Sequence, residues 1–299
     1  MQPEPRLVKT RWGFYTYEPK PSADELQAYY RDKYYQEGHG SYEVTYTEEE
    51  KTWLRLRDLV SGKMRSLLGG RCRRMLDIGC GEGWLMDAFH RAGCEVRGLD
   101  YSSAGIAKLH PHLLPRLTQG DLYENMETLI RGGQRYDAVS CCNVMEHVLD
   151  PSGLLGKLRQ VLAPTGYLVV IVPNDFSALH EHLLAGGFIK KPWWLRYPDH
   201  ISYFNKASME CFLADHGFAV DAVIADHPVD LNLLNDNSNY IEEPSKGKAV
   251  HRFRIRTDNF LASISRDKLL QLYELLGSMG VGRNLIYCAR PVERGQAVG

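Results

Sequence analysis

Leu76-Asp77-Ile78-Gly79-Cys80-Gly81-Glu82-Gly83 is the end of an apolar segment followed at once by a Gly-x-Gly-x-Gly turn. Glycines let a backbone adopt turns that other residues resist, and they let it approach a bound ligand closely. The carboxylate of Asp77, directly before the turn, would repel a phosphate but attract a cation or a hydroxyl group. The stretch therefore fits a nucleoside ligand with a charged, amino-acid-like tail better than a dinucleotide.

Apolar strand-like segments alternate with helix-like segments from Arg73 onward. The predicted strands cover 73–78, 95–100, 116–119, 136–142, 167–173, 219–224 and 285–290. The predicted helices cover about 83–92, 103–110, 123–131, 151–162 and 206–216, and left-handed glycines are expected after three of them, at Gly93, Gly166 and Gly217. This alternation predicts an α/β fold with a seven-stranded, doubly wound, Rossmann-like sheet.

Two kinds of segment depart from this alternation. The first 50 residues are rich in tyrosine, and capping boxes at Ser22 and Thr47 predict a helix over 23–36 and a longer one ending near Gly69-Gly70. We therefore expect an N-terminal helical cap over 1–70, which covers one edge of the core or closes a substrate cleft. The core should span 71–299, with insertions at 174–205 and 225–284. The second insertion holds a polar loop (232–248) and a helix (258–279), and the two strands around it are expected to pair as a hairpin at the sheet edge.

The composition restricts the partners and the compartment. A net charge of −1 gives no electrostatic reason to expect a nucleic acid partner. Apolar runs stay well short of the ~18 residues that span a bilayer, so no membrane span is expected. No signal-peptide-like segment is visible, and the seven cysteines form no C-x-x-C pair, which favours reduced thiols and a cytoplasmic location. A homodimer is left open.

Further polar residues follow the next predicted strands. Asp100 ends the second strand, where a carboxylate can accept both ribose hydroxyls. Asp121 follows the third strand, where an acid can bind an adenine amino group, and Asn143 follows the fourth. Each residue alone is also compatible with a loop or a helix N-cap. Together they predict one cofactor site at the carboxyl edge of the sheet. The expected members are Asp77, Gly79, Cys80, Gly81, Gly83, Asp100, Tyr101, Asp121, Leu122 and Asn143.

These motifs, in this order, resemble the class I S-adenosylmethionine-dependent methyltransferases over about 73–224 and a closing strand near 285–290. The segment from Asn143 to Pro151 is similar to the one that follows strand four in small-molecule members. The resemblance implies S-adenosylmethionine as cofactor and S-adenosylhomocysteine as product. A dinucleotide dehydrogenase is disfavoured, because its G-x-G-x-x-G pattern needs glycine where Trp84 stands and because Asp77 would repel a pyrophosphate.

Two histidines could serve as general base for methyl transfer to a hydroxyl. We expect His200 to act as the base and His147 to line the pocket. No metal is expected: some relatives bind an ion through Glu-x-x-Glu-His, but Asn143 stands in place of the first glutamate, leaving Glu146, His147 and one of His180 or His182. Four aromatic residues of the first insertion are expected either to pack on the core or to contact the substrate: Trp193, Trp194, Tyr197 and Tyr203.

The resemblance extends to methyltransferases of bacterial cell-surface glycans and secondary metabolites, through the N-terminal tyrosines and the Gly280–Asn284 run. It implies an O-methyltransferase acting on a sugar-bearing or other hydroxylated small molecule. Three alternatives stay open: an N-methyltransferase of a small molecule, a methyltransferase of protein or RNA, and a protein that binds the cofactor without catalysis.

Overall fold

The computed structural model of the protein describes residues 4–31 and 45–292. In chain order, the strands in these residues are β1 (Arg6–Lys9), β2 (Tyr15–Glu18), β3 (Arg74–Ile78), β4 (Glu95–Asp100), β5 (Leu117–Gln119), β6 (Tyr136–Cys142), β7 (Leu162–Pro173), β8 (Ser202–Tyr203), β9 (Phe218–Ala225) and β10 (Asn284–Pro291). The α-helices are α1 (Ala23–Arg31), α2 (Glu48–Leu54), α3 (Arg57–Leu67), α4 (Trp84–Arg91), α5 (Ala104–Leu109), α6 (Leu122–Arg131), α7 (Pro151–Val161), α8 (Ala178–Ala185), α9 (Lys206–Asp215), α10 (Gly247–Ile264) and α11 (Arg266–Ser278).

Seven strands form the main sheet in the order β5-β4-β3-β6-β7-β10-β9. The first five are parallel, whereas β10 runs antiparallel to both β7 and β9. The predicted seven-stranded, doubly wound sheet is confirmed, and the two late strands pair at its edge as expected.

Alternation along the central strands divides the core into two layers, because successive side chains of a strand point to opposite faces. Leu76 of β3 and Val139 of β6 belong to one apolar cluster. Their neighbours Met75 and Ala138 belong to the other. These side chains are almost fully buried, so both faces of the sheet are covered and the ligand-accessible surface is restricted to its edges.

One predicted glycine cap is wrong. Gly93 and Gly217 have the expected left-handed backbone, with φ of 86° and 76°. Gly166 instead lies inside β7, because the residue after α7, Leu162, is already extended (φ −81°, ψ 137°) and begins the strand. Glycine is required there for another reason: a Cβ at position 166 would lie 2.8 Å from the Asp137 carbonyl oxygen of the neighbouring strand.

The N-terminal region contains strands that the sequence did not predict. β1 and β2 form a hairpin, and β2 pairs with β8 of the first insertion to make a separate three-stranded sheet. The first predicted helix is seen as α1, whereas its expected extension to residue 36 lies outside the described residues, as do Tyr34, Tyr35 and Tyr42. The capping box at Thr47 is confirmed.

Two long predicted helices are each divided in two. The helix opened by Thr47 bends after α2, where Trp53 Nε1 donates to Asp258 (2.8 Å), and resumes as α3, whose Val60 and Met64 are buried in the core. The late helix is longer than predicted: it begins at Gly247, inside the expected polar loop, and is interrupted by Ser265, which caps α11. All seven cysteines are free thiols. In the residues described, no helix has the length and apolarity needed to cross a membrane.

Candidate functional site

The glycine turn leaves β3 through three left-handed residues. Gly79, Gly81 and Gly83 have φ values of 65°, 54° and 82°. The Gly79 and Cys80 amides donate to the Leu99 carbonyl oxygen of β4 (2.8 and 3.2 Å), which fixes the start of the turn. These φ values favour glycine, because a side chain in this backbone region is strained.

Asp100, at the end of β4, orients the turn through its carboxylate. Its Oδ2 accepts a hydrogen bond from the Gly81 amide (2.8 Å), and its Oδ1 accepts one from the Ser102 amide (2.9 Å). A carboxylate has about four acceptor sites, so two of the four remain for a ligand. The side chain is only partly buried, and the next residue, Tyr101, is 60% exposed. The predicted ribose acid is thus directly beside the glycine turn.

Asp77 lies beneath the turn and is almost completely buried. The Ser140 hydroxyl donates to its Oδ1 (2.5 Å). Burial, reinforced by repulsion from Asp100, raises the pKa of Asp77 to about 7 although the Ser140 hydrogen bond opposes this shift. A cation brought close to Asp77 would therefore expel a proton near neutral pH.

The remaining predicted cofactor residues lie at the same edge of the sheet. Asp121 is exposed and caps α6, accepting a hydrogen bond from the Glu124 amide (2.9 Å), and Leu122 begins that helix. Asn143 follows β6 with a left-handed backbone (φ 52°). Because β5, β4, β3 and β6 are adjacent and parallel, their carboxyl ends meet at one edge, as predicted.

A polar cluster that the sequence analysis missed flanks the turn. Glu82 accepts hydrogen bonds from the Tyr46 hydroxyl (2.9 Å) and from Trp84 Nε1 (2.8 Å). The Trp84 ring meets the His110 ring edge-on, with centroids 4.6 Å apart. Trp84 therefore begins α4 inside a packed cluster. The only signal in the sequence was the tyrosine-rich N-terminal segment that contains Tyr46, and it did not single out this residue.

His147 and His200, predicted from distant parts of the chain, are in contact. Their ring centroids are 4.8 Å apart and nearly perpendicular. His147 Nδ1 lies 2.6 Å from the Asp199 carbonyl oxygen. A carbonyl can only accept, so Nδ1 carries the proton and the neutral ring presents a lone pair on Nε2. The segment that contains His200 is held in place because the Ile201 and Ser202 amides donate to the Glu146 carbonyl oxygen (2.8 and 3.1 Å).

Glu146 adds a carboxyl group to this histidine pair. It is 1% exposed, and burial raises its pKa to about 8. Burial, together with the positive charge that His147 can carry, lowers the pKa of His200 to about 3. Ligand atoms of Glu146, His147 and His200 lie within 4.8 Å of one another, close enough to hold a metal ion. His180 lies elsewhere, paired with Asp230 (3.0 Å).

The four aromatic residues of the first insertion have different environments. Trp194 is fully buried and stacks on His180 with centroids 4.1 Å apart. Tyr203 is also buried, and its hydroxyl donates to the His200 carbonyl oxygen (2.8 Å). Trp193 is partly exposed beneath the Arg283 guanidinium, and Tyr197 is 40% exposed. Trp193 and Tyr197 therefore offer surface to a ligand, whereas Trp194 and Tyr203 support the insertion from within.

Comparison with known families agrees with the fold and with the order of the motifs. A family model described as a methyltransferase domain matches residues 47–223. The chain belongs to this methyltransferase family.

Curated relatives match this methyltransferase over part of its length. A ubiquinone biosynthesis O-methyltransferase from Rhodopseudomonas palustris strain HaA2 is 36% identical over 163 residues, which covers 54% of this chain and 62% of the relative. The corresponding protein from strain BisA53 is 36% identical over 101 residues, which covers 34% of this chain and 40% of the relative. The chain therefore spans about half the length of the curated relatives it matches.

Solved structures share the fold of this methyltransferase at low sequence identity. The plantazolicin methyltransferase BamL, solved with a desmethyl analogue and S-adenosylhomocysteine, has a TM-score of 0.53 at 13% identity, covering 90% of this chain and 96% of BamL. The Burkholderia thailandensis 1,6-didemethyltoxoflavin-N1-methyltransferase, solved with its named ligand and S-adenosylhomocysteine, has a TM-score of 0.52 at 14% identity, covering 97% of this chain and all of that protein. The shared architecture is the Rossmann-like methyltransferase fold.

Proposed function

We propose that this methyltransferase transfers a methyl group from S-adenosylmethionine to a hydroxyl group of a small molecule. One observation carries the proposal: the left-handed glycine turn, flanked by Asp77 and Asp100, lies at the same edge of the sheet as the loop that carries His147. The glycine turn with its two carboxylates suits a nucleoside cofactor with a cationic tail. The loop that carries His147 suits removal of a proton from an acceptor.

The residues around the turn fit this cofactor. In the proposal, the glycine backbone and Cys80 approach its adenosine, Asp100 accepts the ribose hydroxyls, and Asp121 with Leu122 lies on the adenine side. Asp77 favours the positive end of the ligand, and Asn143 and Tyr101 lie beside it. When bound, S-adenosylmethionine supplies an electrophilic methyl group on a sulfonium, and the chain's task is to align the acceptor and exclude water.

We assign the general base to His147 rather than to His200. The Asp199 carbonyl holds His147 in the tautomer whose Nε2 can accept a proton. His200, with a pKa near 3, stays neutral but is a weak base, so it suits a role in fixing the His147 ring and shaping the pocket. The bound cofactor would supply the methyl group to the acceptor oxygen, and His147 Nε2 would accept the hydroxyl proton.

The acceptor class is inferred from the partly exposed aromatic residues of the first insertion and from the relatives. Trp193 and Tyr197 offer aromatic surface to a flat ring or a sugar face. The curated relatives are named O-methyltransferases, which supports a hydroxyl acceptor, whereas one fold neighbour is named an N-methyltransferase. We therefore propose a hydroxylated, ring-containing small molecule, including sugar-bearing ones.

The test combines calorimetry with turnover of His147→Ala and His200→Ala. Calorimetry with S-adenosylhomocysteine should show binding to the wild type, and both variants should keep that affinity within about threefold. With a panel of phenolic and glycosylated acceptors, His147→Ala should lose about 100-fold or more in kcat. His182→Ala, an exposed histidine of α8, is the matched control and should retain turnover.

Each failure of this test has a distinct meaning. Absence of S-adenosylhomocysteine binding to the wild type would overturn the cofactor assignment. Full turnover in His147→Ala would overturn the base assignment alone, and methylation of amines but not hydroxyls would overturn the acceptor class. Loss of turnover with a chelator, restored by a divalent ion, would assign Glu146, His147 and His200 to a metal instead.

A further inference from the structure

Helix α10 presents a stripe of large apolar side chains to solvent. Phe253, Phe260 and Ile264 are 55%, 63% and 66% exposed. Their spacing of seven and four residues puts them on one face of the helix. Exposed apolar surface of this kind marks an interaction site.

The neighbouring helix continues the pattern. Leu272 and Leu275 of α11 and the C-cap Met279 are also exposed, at spacings of three and four. The two helices together therefore hold six of the eleven exposed large hydrophobic side chains in the part of the chain that the structure describes. A concentration of this kind on one helical pair is not the scattered exposure seen on ordinary surfaces.

The opposite face of α10 is fixed against the protein. Ile255 and Asp258, which lie about 160° and 140° around the helix from Phe253, are buried. The Asp258 carboxylate accepts hydrogen bonds from Trp53 Nε1 (2.8 Å) and from the Tyr273 hydroxyl (2.5 Å). These contacts set the rotation of the helix, so the apolar stripe faces outward as part of the fold.

Positive charge accompanies the stripe. Helix α10 carries four basic side chains (Lys248, Arg252, Arg254 and Arg256) and one acidic side chain, the buried Asp258, although the whole chain has a net charge of −1. At 100° per residue, Arg256 and Arg252 lie about 60° and 100° from Phe253, both on the same side. Lys248 and Arg252 are exposed, and Arg256 forms an exposed pair with Glu49 (3.2 Å).

We propose that α10 docks this methyltransferase on an anionic phospholipid surface. The apolar stripe would enter the head-group region while the flanking basic side chains approach the lipid phosphates, as in helices that lie on membranes. A second copy of the chain fits less well, because a twofold contact on this face would bring the basic side chains of two copies together. The inference does not depend on the proposed methyl transfer.

Vesicle sedimentation with the full chain tests the proposal. The probes are phosphatidylcholine vesicles and vesicles that contain about 30% phosphatidylglycerol, where the bound fraction should be about tenfold higher and should fall with added salt. The double variant Phe260→Gln with Ile264→Gln should weaken binding about tenfold or more, since it removes apolar area that enters the membrane. Arg252→Glu should weaken it about fivefold or more.

Matched controls separate the stripe from general effects. Leu114→Gln replaces an apolar side chain that is 37% exposed elsewhere, and Lys191→Glu reverses an exposed charge outside α10. Both should bind anionic vesicles like the wild type, and all variants should melt within about 2 °C of it, because the changed side chains are exposed.

Three results would overturn the proposal. The first is no binding to either vesicle, and the second is equal binding to both. The third is a dimer in light scattering that the Phe260→Gln, Ile264→Gln variant dissociates, which would make the stripe an interface between copies.

Discussion

If Asp77 binds the cofactor as proposed, its titration couples cofactor affinity to pH. Burial raises its pKa to about 7, and a cationic ligand favours the ionised form. Affinity for S-adenosylhomocysteine, whose amino group is positive, should therefore be highest above pH 7 and should fall, at most tenfold per pH unit, below it. Calorimetry at pH 6 and pH 8 measures this difference.

The variant Asp77→Asn removes the titrating group and keeps the shape. It should bind the cofactor about tenfold or more weakly at pH 8, since it lacks the charge, and its affinity should change little between pH 6 and pH 8. A wild-type pH dependence that persists unchanged in Asp77→Asn would show that another group is responsible.

Glu146 lowers the stability of the fold at alkaline pH. Its pKa is raised from 4.5 to about 8, mainly by burial, so the folded state prefers the protonated form. That preference stabilises the fold fully below pH 4.5 and is lost as pH rises through 8. Glu146→Gln should therefore gain stability over the wild type at pH 9 and show little difference at pH 5.

Counting half of the pKa shift, the gain of Glu146→Gln at pH 9 is about 2 kcal/mol of unfolding free energy, or roughly 4–8 °C in Tm. Thermal melts of both proteins at pH 5 and pH 9 check it. Glu210→Gln, on partly exposed α9, is the control and should show no such pH-dependent gain. Equal Tm differences at both pH values would contradict the assignment of a buried, protonated Glu146.

Among single residues, the sequence predicted those positions that depend on local spacing. Asp77, Asp100 and Asp121 lie at or just after the carboxyl ends of β3, β4 and β5, and strand ends can be read from apolar runs and glycines. The contact of His147 with His200 depends instead on amides of residues 201 and 202 binding the Glu146 carbonyl, far away in sequence. No local sequence pattern predicts this contact between distant segments. The same holds for the buried ion pair of Asp175 with Arg283 (2.8 Å).

In the glycine turn, Gly79 can be required either because its backbone is left-handed or because Val144 lies too close for a side chain. Gly79 has φ of 65°, and a Cβ there would lie 2.4 Å from Val144 Cγ2. Gly133 has nearly the same φ, 64°, with nothing within 4 Å of its Cβ position. Gly133→Ala should cost about 1 kcal/mol from backbone strain alone, and Gly79→Ala should cost about 2–4 kcal/mol from strain plus overpacking.

Denaturant unfolding of the two variants measures the difference, and Val144→Ala supplies a rescue. Adding Val144→Ala to Gly79→Ala should recover about 1 kcal/mol or more, because it removes the methyl group in the way. Equal costs for Gly79→Ala and Gly133→Ala, with no rescue, would mean that Val144 moves aside freely.

Among the elements, the strands of the main sheet could be predicted and their irregular companions could not. The alternation of strand-like and helix-like segments placed all seven main strands, and the antiparallel edge pair followed from the long insertion before β10. β8 has only two residues, Ser202 and Tyr203, so it offers too little pattern to recognise. Gly166 misled the prediction, because a glycine after a helix is ambiguous between a cap and a close contact between strands.

In the molecule as a whole, the small sheet connects the N-terminal region to the edge of the main sheet where we propose that catalysis takes place. The Tyr17 amide donates to the Ile201 carbonyl oxygen (3.2 Å), while the Ile201 amide donates to Glu146. Hydrogen bonds therefore link β2 to β8 and to the loop after β6 without a break. This link places His200 against His147, whereas the proposed cofactor residues other than Asn143 lie on or after β3, β4 and β5.

This separation predicts that damage to the small sheet reduces turnover without loss of cofactor affinity. Tyr17→Pro removes the amide donor to Ile201, so the segment around His200 loses part of its support. Tyr17→Ala keeps the donor and removes only the ring, which contacts the Tyr197 ring with centroids 4.7 Å apart.

Tyr17→Pro should lower kcat about fivefold or more relative to Tyr17→Ala, since small displacements of catalytic groups are costly. Calorimetry should give S-adenosylhomocysteine affinities within about twofold for both variants. A parallel loss of affinity in Tyr17→Pro would mean that the small sheet supports the cofactor site as well, and equal kcat values would mean that the Tyr17–Ile201 hydrogen bond does not position the histidine pair.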